Sequence, residues 1–169
     1  MFEASRAKAV DKLNDFINQN LADYSKLRNF DFGPDNKSNT SCLSPYITHG
    51  IINELEVIDK SLKKFSFSKN EKFIQEVLWR TYWKGWLELR PNVWADYLQE
   101  LEKVRNEFKD NQKYKEAIEG KTNIECFNHW INELKENNYL HNHTRMWFAS
   151  IWIFTLALPW QLEIGRAHV

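Results

Sequence analysis

The sequence predicts an all-α fold of about six helices, and three observations support this prediction. Apolar residues recur at steps of three and four along most of the chain, which places them on one face of a helix. No segment shows the alternation of apolar and polar residues that is typical of a half-buried strand. Prolines and capping residues fall where the periodic segments begin and end. A length of 169 residues with 43% hydrophobic content suits one domain with a packed core.

Two helices are predicted before residue 65. The first has an apolar stripe at Val10, Leu13, Ile17, Leu21 and Tyr24. A polar loop follows over 29–41, because this segment contains Gly-Pro-Asp-Asn. Ser44 and Pro45 then predict an N-cap and a first helical turn. A second apolar stripe continues from there through Ile47, Ile51, Leu55, Ile58 and Leu62.

A long helix is predicted next. Ser68 and Glu71 have the spacing of a capping box, which marks a helix start. The helix should end at Arg90, because Pro91 is incompatible with a helix interior. Another helix is predicted over 93–108. Its inward-facing residues should be Leu101, Val104 and Phe108.

Two further helices complete the predicted fold. Residues 109–121 are polar and predict a loop or a frayed helix. Thr122 and Glu125 form a second capping box, and the helix that they open should end near 137–138. The last helix is predicted over 142–158, where Pro159 stops it. The apolar run 146–160 is shorter than the ~20 residues that cross a bilayer, so we expect no membrane span.

Composition narrows the functional classes. With 23 basic and 23 acidic residues, the chain has neither a strongly basic nor an acidic tail, although a local basic patch still allows a nucleic-acid partner. All eight tryptophans lie between Trp79 and Trp160, which indicates either a large aromatic core or a redox or stacking site. Two distant cysteines and the absence of a signal sequence predict a reduced, cytoplasmic protein.

The segment 40–46 is a candidate anion site. It joins a loop to a helix start, where backbone N–H groups and hydroxyls suit a phosphate or a pyrophosphate. Ordinary helix capping explains the same residues, and spacing alone favours that interpretation. The candidate residues are Thr40, Ser41, Cys42, Leu43 and Ser44.

The segment 73–86 is a candidate stacking site. Trp79, Trp83 and Trp86 share one helix face, and Glu76 lies one turn before Arg80, so that the two can pair. An aromatic ring beside these charges could stack on a base while the arginine meets a phosphate. An aromatic core stripe with a surface ion pair fits the spacing equally well.

The segment 141–143 (His-Asn-His) looks like a metal or nuclease motif, but we predict no metal site. His141 and His143 are two residues apart, so on a helix they point in different directions. No further set of ligands has metal-binding spacing, although His129 could approach them.

Together these segments resemble the FAD-binding helical domain of the DNA photolyase/cryptochrome family. The resemblance extends from Tyr24 to Leu162 and rests on five segments that occur in the family's order. They are 24–28 (YSKLR), 40–46 (TSCLSPY), 76–80 (EVLWR), 119–122 (EGKT) and 141–146 (HNHTRM). The run 73–86 looks like a bacterial subgroup with this domain alone, so the resemblance leaves any antenna chromophore unknown.

The resemblance implies that FAD folds into a bowl of helices. Tyr24 and the segment 40–44 would hold its phosphates and ribityl chain. Phe73 would lie beside the flavin, and Arg145 would reach toward the isoalloxazine. The implied DNA-facing residues are Arg28, Glu76, Trp79, Arg80, Asn142 and His143.

The implied reaction is the light-driven splitting of cyclobutane pyrimidine dimers by electron transfer from reduced FAD. Glu76 would hydrogen-bond a flipped-out dimer and Trp79 would pack on it. Trp160 falls on the middle member of the family's tryptophan electron relay. We expect a monomer that acts on DNA.

Three departures from the family leave a second function open. His143 replaces a frequent arginine, Glu107 stands where the outer relay tryptophan is expected, and Asn128 replaces a frequent aspartate. The alternative is a cryptochrome-like FAD photoreceptor, or an FAD-binding protein without repair activity.

The last seven residues, 163–169, look like a translated sequencing adapter. We therefore expect the family domain to cover 1–162 and to stop before the segment that clamps the flavin. On this expectation, the 169-residue chain alone binds FAD weakly, is inactive as an enzyme and exposes apolar surface.

Overall fold

A computed structural model describes residues 3–167, with side chains described through residue 163. Every regular element in this range is helical, which confirms the all-α prediction. The chain divides into two compact units, Met1–Leu89 and Arg90–Val169, which we call the first and the second unit. Within the described range, no helix is both long enough and apolar enough to cross a membrane.

The described residues of the first unit form five α-helices. They are α1 (Arg6–Gln19), α2 (Tyr24–Leu27), α3 (Ser44–Thr48), α4 (Glu54–Lys64) and α5 (Phe67–Glu88). Ser5 caps α1 by accepting a hydrogen bond from the Lys8 amide at 3.2 Å, and Asn53 caps α4 in the same way. The buried core consists of Ala9, Leu13, Phe16, Ile17, Leu21, Leu43, Tyr46, Ile52, Val57, Phe73 and Val77.

Both predicted apolar stripes of the first unit are interrupted. The first leaves the α-helix at Asn20 and continues as a 3₁₀ turn over Leu21–Asp23. The second breaks after α3, because Gly50 adopts a φ of +67°, a left-handed conformation that glycine reaches without strain. These breaks turn the chain so that α2, α3 and α4 can each pack on the core.

The two predicted helix starts in the first unit are wrong in detail. Ser44 is the first residue of α3, not its cap, and the preceding Leu43 makes no side-chain capping bond. The helix α5 begins after Ser66, so Ser68 and Glu71 lie inside it and form no capping box. Its end at Glu88 agrees with the predicted stop before Pro91.

Up to residue 167, where the description ends, the second unit also forms five α-helices. They are α6 (Pro91–Phe108), α7 (Gln112–Glu119), α8 (Glu125–Asn137), α9 (Asn142–Ser150) and α10 (Trp160–Ala167). A π-helical turn over Ile151–Thr155 follows α9. The buried core consists of Tyr97, Leu101, Ala117, Phe127, Ile131, Leu140, Phe148, Trp152, Leu158 and Leu162. Val104 and Phe108 are half-buried against it, as predicted.

The second unit corrects three predictions. The polar segment 109–121 contains the helix α7, because Asn111 accepts a hydrogen bond from the Tyr114 amide at 3.0 Å. Thr122 does not cap α8; its hydroxyl and amide both donate to Asn128 instead. The predicted helix over 142–158 ends at Ser150 and passes into the π-helical turn.

Gly120 ends α7 with a φ of +71°. A Cβ atom there would lie 3.1 Å from the Ile131 side chain and 3.3 Å from the Asn128 carbonyl oxygen. Glycine therefore provides both the left-handed turn and the close approach of α7 to α8. Gly120 therefore has a structural role within the Gly-Lys-Thr segment 120–122.

Candidate functional site

One pocket of the first unit brings together seven of the residues predicted from the sequence to form a site. Its volume is about 150 Å³. The seven residues are Tyr24, Ser41, Leu43, Ser44, Phe73, Glu76 and Arg80, and the apolar side chains of Ile47, Val57 and Val77 complete the lining. The pocket therefore combines hydroxyl groups, aromatic rings and charged groups from α2, α3, α4, α5 and the segment before α3.

The segment before α3 is held by a buried asparagine. The Asn39 side chain is 3% exposed and donates to the carbonyl oxygens of Leu27, at 2.9 Å, and Phe30. These bonds anchor the end of the predicted loop 29–41 to the turn after α2. They bring Ser41 and Ser44 to the same pocket as Tyr24.

Thr40 and Cys42 do not line this pocket. The Thr40 hydroxyl lies 3.3 Å from the buried Cys42 sulfur, and Cys42 has a positive φ of 49°. The strained turn at Cys42 lies between the two pocket residues Ser41 and Leu43, so it shapes their approach.

Three aromatic rings pack beside the pocket. The ring of Tyr24 meets those of Phe16 and Phe73 edge-on, with centroids 5.8 and 5.4 Å away. Burial raises the pKa of the Tyr24 hydroxyl to about 12, with a further contribution from Glu76 that Arg28 opposes. Tyr24 is therefore a neutral hydrogen-bonding group near neutral pH.

The charged pairs differ from those predicted. Glu76 binds the Arg28 guanidinium at 2.5 Å and not Arg80, although Arg80 lies one turn away on α5. Arg80 donates to the Thr48 hydroxyl and lies 4.0 Å from the Glu54 carboxylate. Tertiary contacts with α2, α3 and α4 thus replace the pairing expected within α5.

Sequence reasoning missed Thr48 and Glu54 as partners of Arg80. They lie 32 and 26 residues away from it along the chain, and no spacing rule connects such distant positions. The Nε atom of Arg80 is buried and makes no hydrogen bond within the described residues. The same Nε atom lies 4.0 Å from the Glu54 carboxylate, an ion pair that holds the Arg80 side chain where it lines the pocket.

Trp79 lies outside the pocket on the surface of α5. Its side chain is 52% exposed, and the neighbouring Tyr82 and Trp83 are 55% and 51% exposed. These three rings do not belong to either core cluster of the described residues. The interpretation of Trp79 as core is wrong, because half of its surface remains accessible.

The other predicted site residues lie in the second unit. Asn142 is the exposed first residue of α9, and the half-buried His143 packs edge-on against Trp147 with centroids 6.1 Å apart. Arg145 is half-buried on the same helix. Trp160 begins α10, and its ring lies 5.8 Å from that of Tyr97.

The two remaining departures from the family pattern have local structural roles. Glu107 lies 3.9 Å from Lys103, one turn earlier on α6. Asn128 accepts hydrogen bonds from the Thr122 amide and hydroxyl and donates to the Thr122 carbonyl oxygen at 2.7 Å. An amide can both donate and accept, whereas an ionised aspartate only accepts.

The helix α10 continues past the predicted domain boundary at residue 162. It runs over Trp160–Ala167, and burial raises the pKa of the Glu163 carboxyl, against an opposing effect of Arg145. The side chains after Glu163, and residues 168–169 altogether, lie outside the described part of the chain. The assignment of 163–169 as an adapter remains a prediction.

Several known proteins with similar sequences are named deoxyribodipyrimidine photo-lyase. The protein of that name from Vibrio cholerae is 25% identical over 166 residues, and the one from Agrobacterium fabrum is 29% identical over 161 residues. A bacterial class III photolyase from Agrobacterium tumefaciens, solved by crystallography, matches 96% of the chain with a TM-score of 0.77 and 26% identity. In both sequence and fold, the chain is similar to members of the photolyase/cryptochrome family over nearly its whole length.

The similarity covers nearly all of this chain but only part of each relative. The two sequence matches include 95% and 90% of this chain, and 34% and 32% of the relatives. The chain thus spans about a third of the length of these relatives, and the same holds for the crystal structure. No family model matches the chain.

Proposed function

We propose that this chain is part of a flavin-dependent DNA photolyase that splits cyclobutane pyrimidine dimers in light. One observation carries the proposal: seven residues that the family resemblance singled out, scattered between positions 24 and 80, line a single pocket. Neither Ser41 nor Ser44 caps α3, so capping does not account for their place in one pocket with Tyr24, Glu76 and Arg80.

The pocket has the chemistry to hold part of FAD. The hydroxyl groups of Ser41, Ser44 and Tyr24 suit the phosphate and ribityl oxygens, and Arg80 has a buried donor without a hydrogen bond in the described residues. Phe73 offers an apolar ring beside them. When bound and reduced, FAD supplies the electron that splits the dimer after light absorption.

Glu76 and Trp79 would receive the lesion. The Glu76 carboxylate is held by Arg28 at 2.5 Å, which fixes its direction for a hydrogen bond to an extruded base. Trp79 has half of its indole surface free for stacking. Arg28, Arg80, Asn142 and His143 would contact DNA, while Arg145 and Trp160 would serve the flavin and the electron path.

The test is light-dependent repair of an oligonucleotide that contains one cyclobutane dimer, using the protein encoded by the natural gene. We expect the Glu76→Gln variant to repair about tenfold more slowly, since it loses a charge-assisted hydrogen bond. Glu71→Gln is the matched control, because Glu71 is exposed on the same helix outside the pocket. A protein that binds FAD but repairs no dimers in light would contradict the proposal and favour a photoreceptor.

A further inference from the structure

The surface of α5 carries a repeated aromatic–cation pair. Trp79 is followed by Arg80 and, one helical turn later, Trp83 is followed by Lys84. Residues four apart lie on the same side of a helix, so the two indoles are neighbours and the two cations are neighbours. The proposed contact of Trp79 with a lesion accounts for only half of this pattern.

The two indoles are aligned. Their planes are 23° from parallel, and their centroids are 6.4 Å apart. Tyr82 meets both of them edge-on, at 5.5 Å from Trp79 and 5.3 Å from Trp83, with interplanar angles of 87° and 78°. Edge-to-face contacts are the favoured geometry of aromatic pairs, so Tyr82 holds both faces in a common orientation.

These rings are accessible as well as aligned. Trp79, Tyr82 and Trp83 are each about half exposed, so a ligand can reach the indole side chains from solvent. Trp86 meets Trp83 at 69°, so the near-parallel arrangement does not extend to the next turn. The aligned surface is therefore limited to the Trp79–Trp83 pair.

The chemistry of this pair selects its occupant. Flat, near-parallel indoles favour the π-faces of nucleobases, and adjacent cations favour the phosphates that connect those bases. Lys84 is exposed beside Trp83, whereas Arg80 is already engaged by Thr48 and Glu54. Charge complementarity thus favours a nucleic acid strand over an aliphatic protein surface.

We propose that Trp83 forms, with Trp79, a two-ring platform that stacks bases of unpaired DNA, and that Lys84 binds the adjoining phosphate. This inference rests on the proposed function in one respect, the assignment of Trp79 to the DNA surface. Tyr82 is a positioning residue, since it orients both indoles. The unpaired bases would be those beside a lesion that has left the helix.

The experiment measures binding of an undamaged oligothymidylate to the 169-residue chain, without flavin and without light. We expect Trp83→Ala to weaken binding about tenfold, as loss of one stacked base does. Trp83→Phe retains an aromatic face and should restore most of the affinity. Leu87→Ala is the matched control, because Leu87 is 48% exposed one turn further along α5 and should leave the affinity unchanged.

A strand that contains abasic sites isolates the stacking contribution. Trp83→Ala should have no effect on this strand, because no base is present to stack. Lys84→Gln should instead weaken binding to both strands. It should also reduce the salt dependence of the affinity by about one phosphate contact. Circular dichroism of each variant confirms that the helices remain folded.

Three results would overturn the inference. The first is equal affinity of wild type and Trp83→Ala for oligothymidylate, and the second is an equal loss on both strands. The third is self-association of the chain through this surface. It would appear in sedimentation as a dimer that Trp83→Ala dissociates, while DNA binding stays unchanged. None of these results depends on FAD or on repair, so they are distinguishable from failure of the proposed function.

Discussion

The most buried tryptophan of the described residues and the aligned, half-exposed pair lie in different units. In the second unit, the rings of Phe127 and Phe148 stack at 4.6 Å, and Trp152, which is fully buried, stacks on Phe148. In the first unit, Trp79 and Trp83 stand half exposed on α5. The clustering of tryptophan in the sequence therefore combines two settings, a buried core ring at Trp152 and accessible rings such as Trp79 and Trp83.

The predicted site residues are also arranged differently in the two units. In the first unit, residues from separate segments converge on one pocket, with Asn39 anchoring the loop that delivers the serines. In the second unit, Asn142, His143 and Arg145 follow one another on α9, and Trp160 lies on α10. Convergence from distant positions is the stronger sign of a site, because neighbours on one helix are close whether or not they act together.

The largest expected loss of stability comes from disrupting the aromatic core of the second unit. Trp152 is 0% exposed, and its indole N–H donates to the Pro159 carbonyl oxygen at 2.8 Å. We expect Trp152→Ala to lower the free energy of unfolding by about 3–5 kcal/mol, through the cavity and the unpaired carbonyl. Denaturant unfolding followed by circular dichroism measures the loss. Phe154→Ala, at a residue 80% exposed, should cost less than about 0.5 kcal/mol.

A smaller loss should follow in the first unit from Asn70→Ala. The Asn70 side chain is 1% exposed and donates to the carbonyl oxygens of Ser61, at 2.9 Å, and Phe65, at 3.0 Å. Its removal leaves these acceptors without that donor at the junction of α4 and α5, at a cost of about 1–3 kcal/mol. Thermal unfolding measures the change. Ser68→Ala should have little effect on thermal stability, because Ser68 does not cap α5. A loss of stability as large as that of Asn70→Ala would show that Ser68 does form the predicted capping box.

The third expected effect depends on pH. The hydroxyl of Tyr24 has its pKa raised from 10.0 to about 12 in the folded chain, so folding favours the protonated form. The resulting stabilisation is fully present below pH 10 and is lost as the pH rises toward 12. Urea unfolding of wild type and Tyr24→Phe across this interval tests it. Parallel curves for the two proteins would show that Tyr24 ionises as it does in the unfolded chain.

Local signals predicted much of the fold. Pro91 separates α5 from α6, and Asn138 ends α8 with a φ of +51° where the sequence indicated a stop. The break at Gly50 also had a local signal, since glycine favours the left-handed backbone that ends α3. For the segment of α7 the sequence left a loop and a frayed helix both open because it is polar, although Asn111 provides a clear N-cap.

The charge pairs could not be predicted in the same way. Glu76 had a plausible partner four residues away in Arg80, yet Arg28, which follows α2 directly, binds it instead. The outcome depends on which helices meet in three dimensions, and spacing along one helix carries no such information. The family resemblance supplied the residues of the pocket, while the structure supplied their pairing.

The central claim is that the pocket of the first unit binds flavin, and direct FAD titration of the natural gene product tests it. Ser41 lines the pocket, whereas Ser38 is exposed on the loop outside it. An indole at position 41 would fill much of the roughly 150 Å³ available, so Ser41→Trp should weaken FAD binding at least about tenfold. Ser38→Trp should bind like wild type. Equal FAD affinity of Ser41→Trp and wild type, with both proteins folded, would contradict the account.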